Sequence, residues 1–423
     1  MMMQTDRVAI VGAGPSGAFL ARLLSDAGYK VTVFEALPKL AVKPCGWGVP
    51  FTIDRVVKIP EDYIISEVHG YRVYIDEEKL LESKGVKYGY IVDKERLLEH
   101  FLEGVEVVRI GVRELGKLEG YDLVVDARGV SSYPGRRASA LQAIVEGVAS
   151  SDSIEVHLLT GFTGYAWIFP LGGSRAKAGV GGLADFETLR SYLSWLLKLH
   201  GNPEVRRLEG GSIAAGGIIW RAGAVKIGEA LGAVQPLSGE GIRPGMLSSL
   251  ALFRSLRSER SFSEELRRTG LPFNIKVQLA IVRRLESLSP EGRANLYRTA
   301  PREILERVTA GNLTPSYLAR AAARWPGFFA KVAGPRWLTA ARQQSESPRS
   351  QRKITLRKSS APLKARRAAR SRELAAPSSP VSLTGAVDPQ LPRNCRAGLK
   401  PARGPPPSSP LPRRAAPSGF ASR

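Results

Sequence analysis

A chain of 423 residues with 43% hydrophobic side chains has enough apolar material for at least one sizeable core and length for two or three lobes. No run approaches the roughly 18–20 apolar residues that span a bilayer. The two cysteines, Cys45 and Cys395, exclude a disulfide framework or a cysteine-rich zinc site and fit a reducing, cytoplasmic setting. Of the net charge of +23, residues 341–423 carry +15, together with 13 of the 29 prolines and one aromatic, Phe420. That segment lacks the apolar side chains to offset the entropy of ordering, so it reads as a disordered, basic, Pro-rich extension. Binding of the extension to an anionic membrane surface is the alternative, and nucleic acid is disfavoured because most of the basic excess lies there.

Residues 7–11, RVAIV, form a β-branched run that enters Gly12-Ala13-Gly14-Pro15-Ser16-Gly17. A helical pattern follows through Leu20, Leu23 and Leu24, then a turn at Gly28 and a second strand, Lys30 to Phe34. In such a βαβ unit the first glycine permits the tight turn, the second lets backbone amides approach a pyrophosphate, and the third lets helix pack on strand. Glu35, 18 residues beyond Gly17, ends the second strand where a carboxylate accepts hydrogen bonds from a ribose. The same apolar stretch fits a signal peptide poorly, because the glycine turn interrupts it and Asp6 precedes it.

Residues 121–130, YDLVVDARGV, predict a buried strand ending in a small-residue turn. From 136 to 220, short alternating runs separated by glycines predict an antiparallel sheet. Residues 225–245, VKIGEALGAVQPLSGEGIRPG, predict another strand, a glycine turn and a helix start, with helices following from about Leu247 to Ala340. The four histidines, His69, His100, His157 and His200, are scattered without metal spacing, so no metal is expected, and no catalytic acid or nucleophile stands out.

GAGPSG, YDLVVDARG and GEALGAVQPLSGEGI together resemble the FAD-dependent oxidoreductases of the aromatic-hydroxylase type. GYAWIFP at 164–170 resembles the YxWxFP signature of the geranylgeranyl reductase family, of which the archaeal digeranylgeranylglycerophospholipid reductases are the nearest type, and KPCGWGVP at 43–50 resembles that family's Cys-Gly segment. The fold implied is α/β (α+β): a Rossmann-like FAD-binding domain at 1–135 and 221–260, an antiparallel-sheet substrate domain at 136–220, a helical region at 261–340 and the tail at 341–423.

By position, the resemblance implies FAD contacts at Gly12, Gly14, Ser16 and Gly17, at Glu35 and Ala36 beside the ribose, and at Cys45, Gly46 and Gly48 near the isoalloxazine. Lys94, Ala127, Glu229, Gly239, Gly241 and Ile242 complete the set. Lys94 stands where an arginine is usual, Glu229 where an aspartate is usual, and Phe162 where the substrate motif starts with proline. Alternation of Tyr165, Trp167 and Phe169 alone describes any core strand. Beside a flavin the same aromatics read as a wall for a long apolar alkene.

The activity implied is hydrogenation of geranylgeranyl C=C bonds in isoprenoid membrane lipids by hydride from reduced FAD plus a proton. NAD(P)H or a ferredoxin-like protein would supply electrons, since no second glycine fingerprint is present, and the lipid substrate implies peripheral membrane contact. A monooxygenase or halogenase on the same fold is the alternative, and a membrane- or nucleic-acid-binding protein acting through the basic tail is the alternative of another class.

Overall fold

The computed structural model describes residues 7–149, 151–221 and 223–333. The basic extension at 341–423 lies outside the described residues, as does Cys395. The chain opens with β1 (Arg7–Val11), α1 (Pro15–Asp26) and β2 (Lys30–Phe34). Next come β3 (Gly48–Pro50), β4 (Ile64–Ile75), β5 (Glu78–Val92), α2 (Lys94–Leu102), β6 (Glu106–Val108) and β7 (Leu123–Asp126). The middle of the chain holds β8 (Arg137–Glu146), β9 (Ser153–Leu158), β10 (Gly164–Pro170), β11 (Arg175–Gly182), α3 (Phe186–Leu199) and β12 (Glu204–Ala214). Beyond it lie β13 (Val225–Lys226), α4 (Ile242–Leu256), α5 (Phe262–Arg268), α6 (Leu271–Glu286), α7 (Pro290–Arg298), α8 (Arg302–Thr309), α9 (Pro315–Arg324) and α10 (Pro326–Ala333).

Five strands form a parallel sheet in the order β13-β7-β1-β2-β6. Strand alternation divides β1 between two layers. Val8 and Ile10 join Val31 and Val33 against Leu20 and Leu24 of α1 and Met246 and Leu252 of α4. Ala9 and Val11 face Leu115, Leu118 and Tyr121 on the other side. Each fully buried aliphatic side chain contributes about 1.5–3 kcal/mol. This small layer is therefore strongly held.

The second sheet has eight strands, β12-β8-β11-β10-β9-β4-β5-β3. It departs from the expected antiparallel sheet in two ways. One pairing, β4 with β9, is parallel. Strands β3 to β5, from residues 48–92, also join it, although the reading of the sequence confines the sheet to 136–220. A parallel pair between strands some eighty residues apart needs a long crossover, which leaves no local pattern.

The 136–220 stretch also contains the unexpected helix α3. Asp185 caps it, accepting from the Thr188 amide at 2.7 Å. Leu189, Leu193 and Leu196 recur at helical spacing and bury against Ala143, Ala166, Ile168 and Ala178 of the sheet. The expected strand and glycine turn after 225 are observed, though the helix begins at Ile242. Among the described residues, no helix is long and apolar enough to cross a membrane.

Candidate functional site

The glycine turn has strict packing reasons at two of its three glycines. Gly12 has φ +110°, and a Cβ there would lie 2.4 Å from the Ala127 carbonyl oxygen. A Cβ on Gly17 would lie 1.9 Å from the Gly12 carbonyl oxygen, so the third glycine is what lets α1 sit on the turn. Gly14 differs: no protein atom lies within 4 Å of its missing Cβ, and it borders the cleft. Its lack of a side chain serves approach from outside the protein.

Gly14 is the N-cap of α1, which has no side-chain cap and no acid in its first turn. Gly241 begins α4 in the same manner. Two uncapped helix N-termini thus face one cleft, and each favours an anion. Glu35 closes the turn from the side, with Oε2 accepting from the Ala13 amide at 2.8 Å and Oε1 from the Leu37 amide at 2.9 Å. A carboxylate held by two amides keeps further lone pairs for a ribose.

Ser16 joins the two halves of this region. Its carbonyl accepts from Ser249 Oγ at 2.8 Å, and its hydroxyl occupies the space that a Cβ on Gly228 would need, 2.0 Å away. Ser248 Oγ in turn accepts from the Gly228 amide at 2.8 Å. Helices α1 and α4 are therefore locked together through small residues.

The segment 43–48 crosses the middle of the cleft and hangs on two buried lysines. Lys94 Nζ donates to the Lys43 carbonyl at 2.6 Å, and Lys177 Nζ donates to the Cys45 carbonyl at 2.7 Å. Burial pushes both ammonium groups below the ordinary lysine range, Lys177 to about 8. Lys177 also lies 3.4 Å from the centroid of the Trp47 ring. Trp47 itself has φ +64°, a strained conformation for a bulky residue.

Lys94 is thus a brace for the chain while also lining the cleft. Lys177, Trp47 and Gln142, whose amide reaches the Cys45 carbonyl at 3.3 Å, were absent from the residues singled out in the sequence. A lone lysine in the otherwise small, apolar strand RAKAGVGG was the available signal. Glu229 is also engaged: Oε1 accepts from the Ala214 amide at 2.9 Å and Oε2 pairs with Lys43 Nζ.

Gly46 and Gly48 gain a packing reason beyond approach to a ligand. A Cβ at either position would meet the Phe169 ring, at 2.9 and 3.1 Å. Phe169 ends a ladder in which Tyr165 and Trp167 lie 5.5 Å apart, and Trp167 and Phe169 6.2 Å apart, between centroids. Trp167 is accommodated by Gly179, whose Cβ would lie 2.2 Å from the indole. Its Nε1–H is buried without a hydrogen-bond partner beside the cleft. Tyr165 donates to the Ser238 carbonyl, and burial raises its phenol so that it stays protonated.

Most of these groups line a single cleft of ≈1560 Å³. It includes Gly12, Gly14, Ser16, Glu35, Ala36, Cys45, Gly46, Gly48, Lys94, Ala127, Glu229, Gly239, Gly241 and Ile242, together with Tyr165, Trp167 and Phe169. Gly17 does not line it and acts from beneath the turn. The volume exceeds the roughly 300–1,000 Å³ of an ordinary small-ligand pocket, so a dinucleotide leaves space for a second ligand. That further space is walled by Val68, Tyr71, Val73, Tyr88, Ile154, Val156 and Leu158 of β4, β5 and β9, and by Leu305 of α8. None of these was singled out in the sequence, because distant strands bring them together.

Comparison with known proteins agrees with this geometry. The family profile of the NAD(P)-binding Rossmann-like domain matches residues 10–43, the βαβ unit and its continuation. Digeranylgeranylglycerophospholipid reductase from Thermoplasma acidophilum is 26% identical over 307 residues, covering 59% of this chain and 77% of that protein. Its counterpart from Picrophilus torridus is 27% identical, covering 57% and 75%.

The chain is a distant homologue of these archaeal reductases. Among solved structures, a geranylgeranyl bacteriochlorophyll reductase-like protein of Thermoplasma acidophilum superposes with a TM-score of 0.64 at 21% identity, covering 78% of this chain and 98% of that one. The flavin-dependent brominase Bmp2 superposes at 0.57 with 15% identity, covering 76% and 98%. The fold is therefore that of FAD-dependent monooxygenases: a Rossmann-like cofactor domain, a mixed second sheet and a helical segment. As a homologue of these reductases the chain falls among the flavoprotein oxidoreductases. The uncapped helix N-termini, Glu35 and the bare Gly14 all fit a flavin dinucleotide.

Proposed function

We propose that this chain is an FAD-dependent reductase that hydrogenates C=C bonds of geranylgeranyl chains in an isoprenoid membrane lipid. The observation that carries this reading is the continuity of one cleft from a dinucleotide-binding turn, past an aromatic ladder, to an apolar wall. When bound, reduced FAD supplies the hydride.

The chain's own residues do the rest. The α1 and α4 N-termini receive phosphate and other negative charge, and Glu35 orients the ribose. Lys94 and Lys177 hold the 43–48 segment rigid against the ring system by fixing its carbonyls. Tyr165, Trp167 and Phe169 confine the alkene, and Val156, Tyr71 and their neighbours take the remaining length of an apolar chain and exclude water. In the same reading NAD(P)H or a ferredoxin-like protein supplies the electrons, and the lipid is met at a membrane surface.

The reading is tested by reconstituting the protein with FAD, reducing it chemically and incubating it with geranylgeranyl glycerophospholipids. Mass spectrometry should show successive gains of two hydrogens. Unchanged lipid combined with rapid consumption of oxygen would point instead to a monooxygenase on the same fold.

A further inference from the structure

Strand β9 has two faces with different tasks. Ile154, Val156 and Leu158 line the cleft, while Glu155 and His157 point to the opposite face, beneath α3. There they meet His200, the residue that ends α3. Glu155 Oε1 lies 2.9 Å from His157 Nε2 and 2.7 Å from His200 Nε2. The three potential ligand atoms all lie within 4.8 Å of one another. This spacing brackets the about 3.3 Å expected between ligands of a tetrahedral ion with bonds of about 2.0 Å.

The other hydrogen bonds of the cluster resemble an outer shell around an ion. His157 Nδ1 lies 2.6 Å from the Asp76 carbonyl, which only accepts, so Nδ1 carries the proton. In the neutral ring Nε2 is then a bare lone pair aimed at a carboxylate oxygen. Two such acceptors are held 2.9 Å apart by a proton or a metal ion that they share. Arg72 Nε binds the other carboxylate oxygen, Oε2, at 3.1 Å, which leaves Oε1 as the one free to ligate. Stacking on Tyr74, centroids 4.6 Å apart, and an edge contact with Trp195 fix the His157 ring. Imidazoles that bind metals characteristically donate their second N–H to a carbonyl, and ligating carboxylates are themselves hydrogen-bonded.

A separate small cavity borders His200. It measures ≈50 Å³ and is bordered by Arg72, Ser151, Ser153 and His200. A water needs roughly 10–15 Å³ of such space, so the cavity beside His200 has room for one.

We propose that Glu155, His157 and His200 form a structural site for a divalent transition-metal ion of the zinc class, which pins the end of α3 to the back of the cleft-forming sheet. Two imidazole nitrogens and one carboxylate oxygen suit zinc-class ions and not magnesium or calcium. The site is independent of the flavin cleft and of the reaction assigned to it.

The test uses full-length, untagged protein. Elemental analysis after gel filtration should find one zinc ion per chain, and a chelator should remove it with a fall in Tm and no loss of flavin. His200→Ala, at the partly exposed end of α3, should abolish retention. Arg72→Gln should weaken Zn²⁺ binding by about tenfold. The double variant His69→Ala/His100→Ala, which removes the two other histidines, should bind as the parent does. Titration of chelated protein with Zn²⁺ should restore Tm, whereas Mg²⁺ should not. The proposal is overturned if the parent retains no stoichiometric metal and Zn²⁺ raises its Tm no more than that of His200→Ala, which would leave the cluster as an imidazolium–carboxylate pair.

Discussion

The two ends of the cleft are built by opposite strategies. At the glycine turn most of the groups that matter lie between Gly12 and Glu35, and backbone does the work: the Gly12 φ of +110°, the Gly17 contact and an uncapped α1. At the aromatic end the wall comes from β4, β5, β9, β10 and α8, and side chains do the work. In the proposed reading a cofactor common to many chemistries is held by a local, nearly rigid device, while the part that would select a substrate is assembled across the sheet. Damage at the first end should cost the flavin, and damage at the second should cost turnover.

The largest effect is expected at Gly17. In Gly17→Ala the new methyl would meet the Gly12 carbonyl oxygen, and separating them must move α1 off the sheet, costing at least about 1–3 kcal/mol. Purified protein should show little or no flavin absorbance. Retention of full flavin content would contradict the turn's assigned role.

Lys177 comes next, through pH. Its folded pKa of about 8 lies below the ordinary 10.5, so between those values the unfolded chain keeps a proton that the folded chain has released. Stability therefore rises with pH across that window, and below about pH 8 the cost of the buried charge is present in full. Each pH unit of the window is worth about 1.4 kcal/mol. Urea unfolding from pH 7.5 to 10.5 should show this rise in the parent relative to Lys177→Met, and equal slopes would refute it.

Glu35→Gln should spare the fold but weaken FAD. Loss of a charged acceptor costs about 1.5–3 kcal/mol, a rise in Kd of roughly 10- to 150-fold, readable by fluorescence titration. Trp167→Phe should do the reverse, leaving FAD affinity intact while kcat/KM for lipid falls by about two- to tenfold, from about 0.5–1.5 kcal/mol of aromatic contact. If Trp167→Phe loses flavin instead, the division of labour along the cleft fails.

That division also explains what was legible in the amino-acid sequence. The βαβ unit and Glu35 could be read because their geometry depends on spacing alone, and GYAWIFP through its resemblance to a family signature, since the alternation that fits the pleat of β10 describes any core strand. The Val156 and Tyr71 wall could not, since it depends on the parallel pairing of β4 with β9. Lys177 could not be singled out, because its Cys45 partner lies 132 residues away. Gly46 and Gly48 were visible, but their contact with Phe169 was not. The meeting of His157 with His200 likewise depends on α3, a helix hidden within a stretch of strands.

The most direct test of the claim that one cleft brings flavin and alkene together is a single turnover without oxygen. Reduced, FAD-loaded protein mixed anaerobically with a geranylgeranyl lipid should reoxidise its flavin as the lipid gains two hydrogens, one double bond lost per flavin. Flavin that stays reduced with the lipid, and reoxidises only when oxygen is admitted, would contradict it.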